Sequence, residues 1–309
     1  MSGLDASAAI LAATLRAGTP LVFAALGELV VEKSGVLNLG VEGMMLTGAV
    51  AGFATAAVTG DPALGFAAAM LAGALLALVF AAVTLSLLAN QVASGLALSI
   101  FGIGLSAFVG RGYIGAPVAG VGSLSIPVLS KLPLLGPVLF AQDPLVYLSI
   151  VLFLAIEWFL YRTRAGLMLR AVGESPGVAH ALGYHVLRIR YAAVLFGGAM
   201  AGLAGGYLSL VYTPMWAENM TAGRGWIALA LVVFATWKPR RVLLGAYLFG
   251  GVTILQLYAQ GAGLAASAQL LATLPYLATV LVLVLISRNA ATIRLNAPAS
   301  LGKAFHPDG

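Results

Sequence analysis

Long apolar runs, separated by short polar breaks, organise this chain almost from end to end. Nine stand out, at residues 9–31, 36–58, 65–88, 92–109, 145–160, 191–212, 226–236, 243–264 and 270–286. A helix needs about 20 apolar residues to cross a hydrocarbon core. The run at 226–236 is short, so its start is expected a few residues earlier. In lipid every backbone N–H and C=O must be paired within the segment, so the runs predict helices. No alternating ten-residue pattern occurs, which argues against a transmembrane barrel. The expected architecture is all-α: one polytopic transmembrane bundle over residues 1–309 with about nine spans. Pro20 and Arg16 fall inside the first run, where a bend or an interfacial stretch is expected.

Composition decides what solvates those runs. Of 309 residues, 61% are hydrophobic and 8% charged, and the mean hydropathy is +1.03. A soluble domain carries about 25% charged residues, so this chain has too few polar side chains to cover a water-facing surface. It is expected in the cell (plasma or inner) membrane as a multi-pass protein, and its net charge of +6 does not point to nucleic acid. With no cysteine, disulfides and thiolate chemistry are excluded. The first 20 residues lack a basic n-region and do not read as a removable signal peptide.

Charge placement then orients the bundle. Nine spans put the termini on opposite sides. With the C-terminus cytoplasmic, twelve of the 16 Lys and Arg fall inside, leaving Arg16, Arg111, Lys131 and Arg224 outside. The N-terminus is then external, the Pro-rich segment 110–144 is an external loop, and 162–190 is a cytoplasmic segment. That last segment carries five arginines and two histidines in "RTRAGLMLRAVGESPGVAHALGYHVLRIR". Ser175 can cap a helix, Pro176 suits a first helical position and Gly183 can close it, so a two-turn helix is expected over 176–182. It reads either as a docking element for a soluble partner or as an ordinary basic loop that fixes topology. The basic stretch 236–245 reads as a second cytoplasmic loop.

Glycines cluster in "FGGAMAGLAGGYLSL", where Gly197, Gly198, Gly202, Gly205 and Gly206 predict close helix packing rather than chemistry. Polar residues inside apolar segments are functional candidates. Glu28, Glu32 and Lys33 end the first run, as a pathway group or an interfacial cluster. "SGVLNLGVEG" follows, mixing glycine with Asn38 and Glu42, which suits a broken helix lining a cavity. Asn90, Gln91 and Ser94 offer donors and acceptors suited to base edges or sugar hydroxyls, although a polar turn looks the same. "YTPMWAENMTAGRGW" places Asn219 and Arg224 where they could form an outer mouth; Trp216 and Trp226 read as belt or packing residues. No phosphate-loop motif and no H-E-x-x-H pair occurs, so the chain is expected to bind no ATP, no other cofactor and no catalytic metal.

Four stretches, at 22–53, 90–108, 166–184 and 219–230, resemble the permease subunits of bacterial nucleoside and simple-sugar ABC importers. These belong with the broader ribose-type and branched-chain amino-acid-type permeases. The resemblance is greatest to the shorter permease of purine-nucleoside systems and covers about residues 10 to 290. It implies a non-catalytic subunit working by alternating access beside a cytosolic ATP-binding subunit that hydrolyses ATP. It also implies a second, longer permease and an extracytoplasmic substrate-binding lipoprotein. The segment 166–184 matches the cytoplasmic loop whose short helix docks into the ATP-binding subunit. Arg170, Glu174, Ser175, Pro176, Gly177, His180 and Gly183 are thereby assigned to coupling. The alternative is a self-sufficient secondary transporter or channel, which should show a buried ionisable relay or an inverted repeat. A passive membrane assembly protein is a third class.

Overall fold

A computed structural model describes residues 3–261 apart from 117, 126, 128 and 133. It also describes 296–306 and isolated positions between 273 and 284. The helices are α1 (Gly3–Lys33), α2 (Val41–Thr59), α3 (Pro62–Ala81), α4 (Gln91–Gly110), α5 (Leu135–Leu139), α6 (Pro144–Arg162), α7 (Arg164–Glu174), α8 (Pro176–Ala181), α9 (Val186–Tyr207), α10 (Arg224–Phe234) and α11 (Pro239–Gly261). Wider π turns extend α3 over Ala82–Ser86 and α9 over Leu208–Tyr212. No strand occurs among the described residues. Seven of the described helices are long and apolar enough to cross a membrane.

Several helix starts follow from local chemistry. Asp61 and Asp143 each precede a proline, and each accepts a backbone N–H two residues on, at 2.8 and 3.0 Å. Proline at the first helical position lacks only an N–H that would be unpaired there anyway. Thr163 accepts from the Gly166 N–H at 3.0 Å and starts α7 directly after α6.

The interior is built on α1, α2 and α9. Their spanning windows are 56, 72 and 78% buried, against 22% for α4 and 28% for α6, which form the exposed rim. Glycine sets the closest approaches. A Cβ on Gly202 would overlap the Ala69 carbonyl oxygen of α3, and one on Gly205 the Met45 carbonyl oxygen of α2. The glycine cluster packs helices, as expected from its spacing.

Other expectations need correction. The run at 226–236 becomes α10, whose 11 residues rise about 16 Å, half of a hydrocarbon core. The ninth run falls almost wholly outside the described residues. The first run is one unbroken helix with Pro20 inside it. The second helix starts at Val41, leaving 34–40 irregular. Residues 239–245 are the first turns of α11, so the basic loop is shorter than expected; Arg240 Nε donates to Glu157 Oε1 at 2.6 Å. Segment 162–190 holds two surface helices. The unforeseen one is α7, which buries Leu169, Val172 and Gly173 and exposes Arg164.

Helices α2 and α10 both begin inside the bundle. Gly43 packs on Leu98 and Ser99, about 12 Å along α4 at 1.5 Å per residue. The first turn of α10 lies against Glu42. One end of the bundle gathers Lys33, Arg162, Arg164, Arg188, Lys238 and residues 296–306. The other gathers the start of α1, the 110–144 segment and the end of α9.

Candidate functional site

Where α2 and α10 begin, a carboxylate from the first turn of α2 faces the positive end of α10. Glu42, in the first turn of α2, is 2% exposed. Its Oε1 accepts from the Thr221 hydroxyl at 2.5 Å and the Gly223 N–H at 2.9 Å, and its Oε2 from the Gly225 N–H at 2.6 Å. A negative group at helix N-termini is stabilised by their unpaired N–H groups and dipoles. The approach needs glycine: a Cβ on Gly225 would lie 2.5 Å from the Glu42 backbone. The connecting turn carries left-handed backbone at Asn219, Ala222 and Gly223.

The irregular segment 34–40 is held by side chains from three helices, α1, α4 and α9. Glu28 Oε1 accepts from the Asn38 N–H at 3.2 Å, and Gln91 Oε1 accepts from the Leu37 N–H at 2.8 Å. The Ser99 hydroxyl donates to the Leu39 carbonyl at 2.8 Å. Asn38 Oδ1 accepts from the Gly40 N–H at 2.9 Å, closing a local turn. Non-helical backbone at this depth persists because protein groups satisfy it. Glu28 Oε2 and Gln91 Nε2 are buried there without a hydrogen-bond partner among the described residues. Glu32 Oε2 accepts from the Trp237 indole N–H, tying α1 to the turn after α10.

Of the sequence-selected residues, Asn38, Glu42 and Gln91 therefore meet at one junction. Arg224 borders it, donating to the Met220 and Thr221 carbonyls at 3.3 Å and lying over the Tyr212 ring at 5.8 Å. Asn219 is exposed on the adjoining turn. Asn90 is an exposed cap of α4, accepting from the Ala93 N–H at 3.0 Å, and Ser94 is half-buried one turn on. Trp216 packs among Ala49, Val50, Phe53 and Leu210.

A cavity of about 590 Å³ opens at the end opposite the basic one. Its walls include Arg16, Ser123, Asp143, Tyr207 and Tyr212. Arg16 donates to Gln142 Oε1 at 3.0 Å and to the Ala141 carbonyl at 3.2 Å. The Tyr207 hydroxyl donates to Asp143 Oδ2 at 3.0 Å. Sequence reasoning missed this group, placing Arg16 only as an external charge. The one local signal was an arginine within an otherwise apolar run; its partners lie 125 and 126 positions away.

The coupling candidates sit together at the basic end. Arg170 lies over the Tyr161 ring at 5.1 Å. Ser175 separates α7 from α8; its carbonyl accepts from the Ala179 N–H at 3.0 Å, while its side chain makes no cap bond. Pro176 opens α8, and Gly183 ends it at φ +86°. Glu174, Gly177 and His180 are exposed. Residues 173–177, GESPG, have the G-x-S-x-G spacing of a hydrolase nucleophile turn. That motif requires a strand before the serine, and here it joins two helices.

The family described as "branched-chain amino acid transport system / permease component" matches residues 10–287. The chain belongs to this permease family. The permease is 42% identical to the putative glucose ABC transporter permease protein TsgC13 of Haloferax volcanii, over 97% of this chain and 98% of that one. It is 32% identical to the nucleoside ABC transporter permease protein NupC of Lactococcus lactis, over 80 and 81% of the two chains. It is 33% identical to the guanosine ABC transporter permease protein NupQ of Bacillus subtilis, over 78 and 79%. No solved structure matches it. The permease is thus a multi-pass membrane transport protein rather than an enzyme.

Proposed function

We propose that this permease is the translocating subunit of an ATP-driven importer for a nucleoside or related simple sugar, working by alternating access. The observation that carries the reading is the contrast between the two ends of the bundle. At the basic end, Val178, Leu182 and Tyr184 are 60, 72 and 38% exposed on and just after α8, beyond the spanning helices. Apolar surface presented outside lipid suits a protein contact. The positive-inside rule makes this end cytoplasmic, so α8 is the element on which an ATP-binding subunit docks. ATP is used by that subunit, and no cofactor is assigned to this chain.

At the opposite end, the cavity offers a guanidinium, a carboxylate and phenol groups interspersed with small and aliphatic side chains. Polar groups that converge on a cavity fix the orientation of a small ligand, and these suit hydroxyls and base edges. The names of the glucose, nucleoside and guanosine relatives support the solute class. A second, longer permease completes a heterodimer, and an extracytoplasmic lipoprotein delivers the solute to the cavity. The discontinuous starts of α2 and α10 lie between the two ends, where a half-helix junction can change packing while the long helices stay whole.

The test is uptake by the reconstituted complex, competed with purine nucleosides, pyrimidine nucleosides, pentoses and hexoses. Asp143→Asn keeps the cap of α6 but removes the charge. It should raise the half-saturating concentration about tenfold, the size of one lost charge-assisted hydrogen bond. Gly177→Pro and Arg170→Glu should abolish ATP-driven uptake while leaving the protein in the membrane. Full uptake by both would end the docking reading.

A further inference from the structure

Residues 296–306 return to the basic end and pass between the α7–α8 pair and the α1–α2 connection, which are far apart in sequence. Lys33 Nζ donates to the Asn296 carbonyl at 2.9 Å. The Ser300 hydroxyl and N–H both donate to the Gly173 carbonyl, at 2.6 and 3.1 Å, at the end of α7. The Gly302 N–H donates to the Gly35 carbonyl at 3.1 Å, at the start of the irregular segment. Phe305 meets the His180 ring edge-on with centroids 5.7 Å apart, and packs on the small core of Val172, Ala179 and Val186. The strip thus touches α7, α8 and the α1–α2 connection.

Arg190, in the first turns of α9, fixes this arrangement. It is fully buried. Its Nε donates to the Ser34 carbonyl at 3.1 Å, its Nη1 to the Lys303 carbonyl at 3.3 Å and its Nη2 to the Ser300 hydroxyl at 3.1 Å. One planar fork therefore joins the strip to the α1–α2 connection, and a guanidinium holds such a set with little slack. The packing beneath is equally close: a Cβ on Gly173 would overlap the Lys33 carbonyl oxygen. From Ser34 and Gly35 the chain runs directly into Leu37 and Asn38, bonded to Gln91 and Glu28, and then to Glu42 at the start of α2.

We infer that residues 298–306 form a strut transmitting movement of α8 to the α2–α10 junction, with Arg190 as the positioning residue that keeps the strut on segment 34–40. The inference rests on the reading of α8 as the docking element. Coupling between two sites is carried by packed contacts and hydrogen bonds whose arrangement both sites bias. The strut supplies it through close contacts anchored at the start of α9 by Arg190. Phe305 is the contact with α8, and Arg190, Ser300 and Gly302 are the contacts with the membrane-embedded segment.

The test uses the assembled importer in liposomes, with uptake and ATP hydrolysis measured together. Phe305→Ala removes a half-buried ring at the surface. Arg190→Lys keeps the charge and loses the fork. Both variants should still co-purify with the ATP-binding subunit and hydrolyse ATP, while solute moved per ATP falls about tenfold, within the usual range of allosteric coupling. Leu182→Asp, at the exposed residue just after α8, separates the two readings by removing the ATP-binding subunit from the complex. If Leu182→Asp disables the importer and Phe305→Ala keeps the wild-type ratio of solute to ATP, the strut is wrong and docking stands. If Leu182→Asp changes nothing, the docking reading fails, and the strut with it. Loss of the ATP-binding subunit from the Phe305→Ala complex would also overturn the strut, making the strip part of the docking surface.

Discussion

Two buried regions hold this permease together by opposite means. Along the seam of α2, α3 and α9, backbones touch because side chains are missing, and the contacts at Gly202 and Gly205 leave no space for a methyl group. At the α2–α10 junction, backbones are interrupted, and side chains reach in to pair them. The seam has one arrangement, because interlocked backbones cannot slide without overlap. The junction is a set of hydrogen bonds, each exchangeable for another donor or acceptor at modest net cost. A transporter needs both: helices that move as units, and a place where movement does not tear a helix open.

Substitutions at three positions probe the difference, from the largest effect to the smallest. Gly202→Leu drives a side chain into the α3 backbone, where the protein cannot relax. It should prevent recovery of folded protein, since overpacking typically costs about 1–3 kcal/mol and backbone overlap is its severe form. Yield of monodisperse protein after detergent extraction is the readout, and a normal yield would show that the seam can open. Glu42→Ala orphans the Thr221 hydroxyl and two backbone N–H groups. Each unpaired buried group costs about 1–3 kcal/mol, so thermal unfolding should shift down clearly and uptake should be lost. Glu42→Gln keeps an acceptor and should recover part of the stability; equal loss in both would mean that the charge, rather than the hydrogen bonds, holds the two helix ends. Asn90→Ala removes only an exposed cap of α4, costing about 1 kcal/mol. Uptake per folded molecule should stay unchanged. A transport defect there would extend the junction to a residue that the structure leaves outside it.

The helices α3, α4, α6 and α9 were legible because lipid demands long apolar runs, and such runs are visible without any partner. The glycine seam was legible for a similar reason: small residues at spacing four declare a face. The segment 34–40 was half legible. Its mixture of Gly35, Asn38 and Gly40 suggested a broken helix, yet the apolar residues between them extended the expected second span to residue 36. Helix α7 escaped notice because it lies outside the long apolar runs, with exposed Arg164 on one side and buried Leu169 and Val172 on the other. The cavity and the strut escaped for a different reason. Tyr207 and Asp143 are 64 positions apart, and Arg190 and Lys303 are 113. No local pattern announces a hydrogen bond across such a separation. In the sequence, Arg190 and Lys303 count only as cytoplasmic charges, and Asp143 and Tyr207 carry no local mark of a site.

The wide turns at Ala82–Ser86 and Leu208–Tyr212 close opposite ends of the antiparallel α3–α9 pair. Each accommodates one surplus residue, so the side chains beyond it are rotated relative to a regular helix. Ser86 thereby meets the Tyr191 hydroxyl at 2.6 Å, and the Tyr212 ring comes under Arg224. The two wide turns thus carry polar groups at both rims, while the glycines between them hold the pair in register.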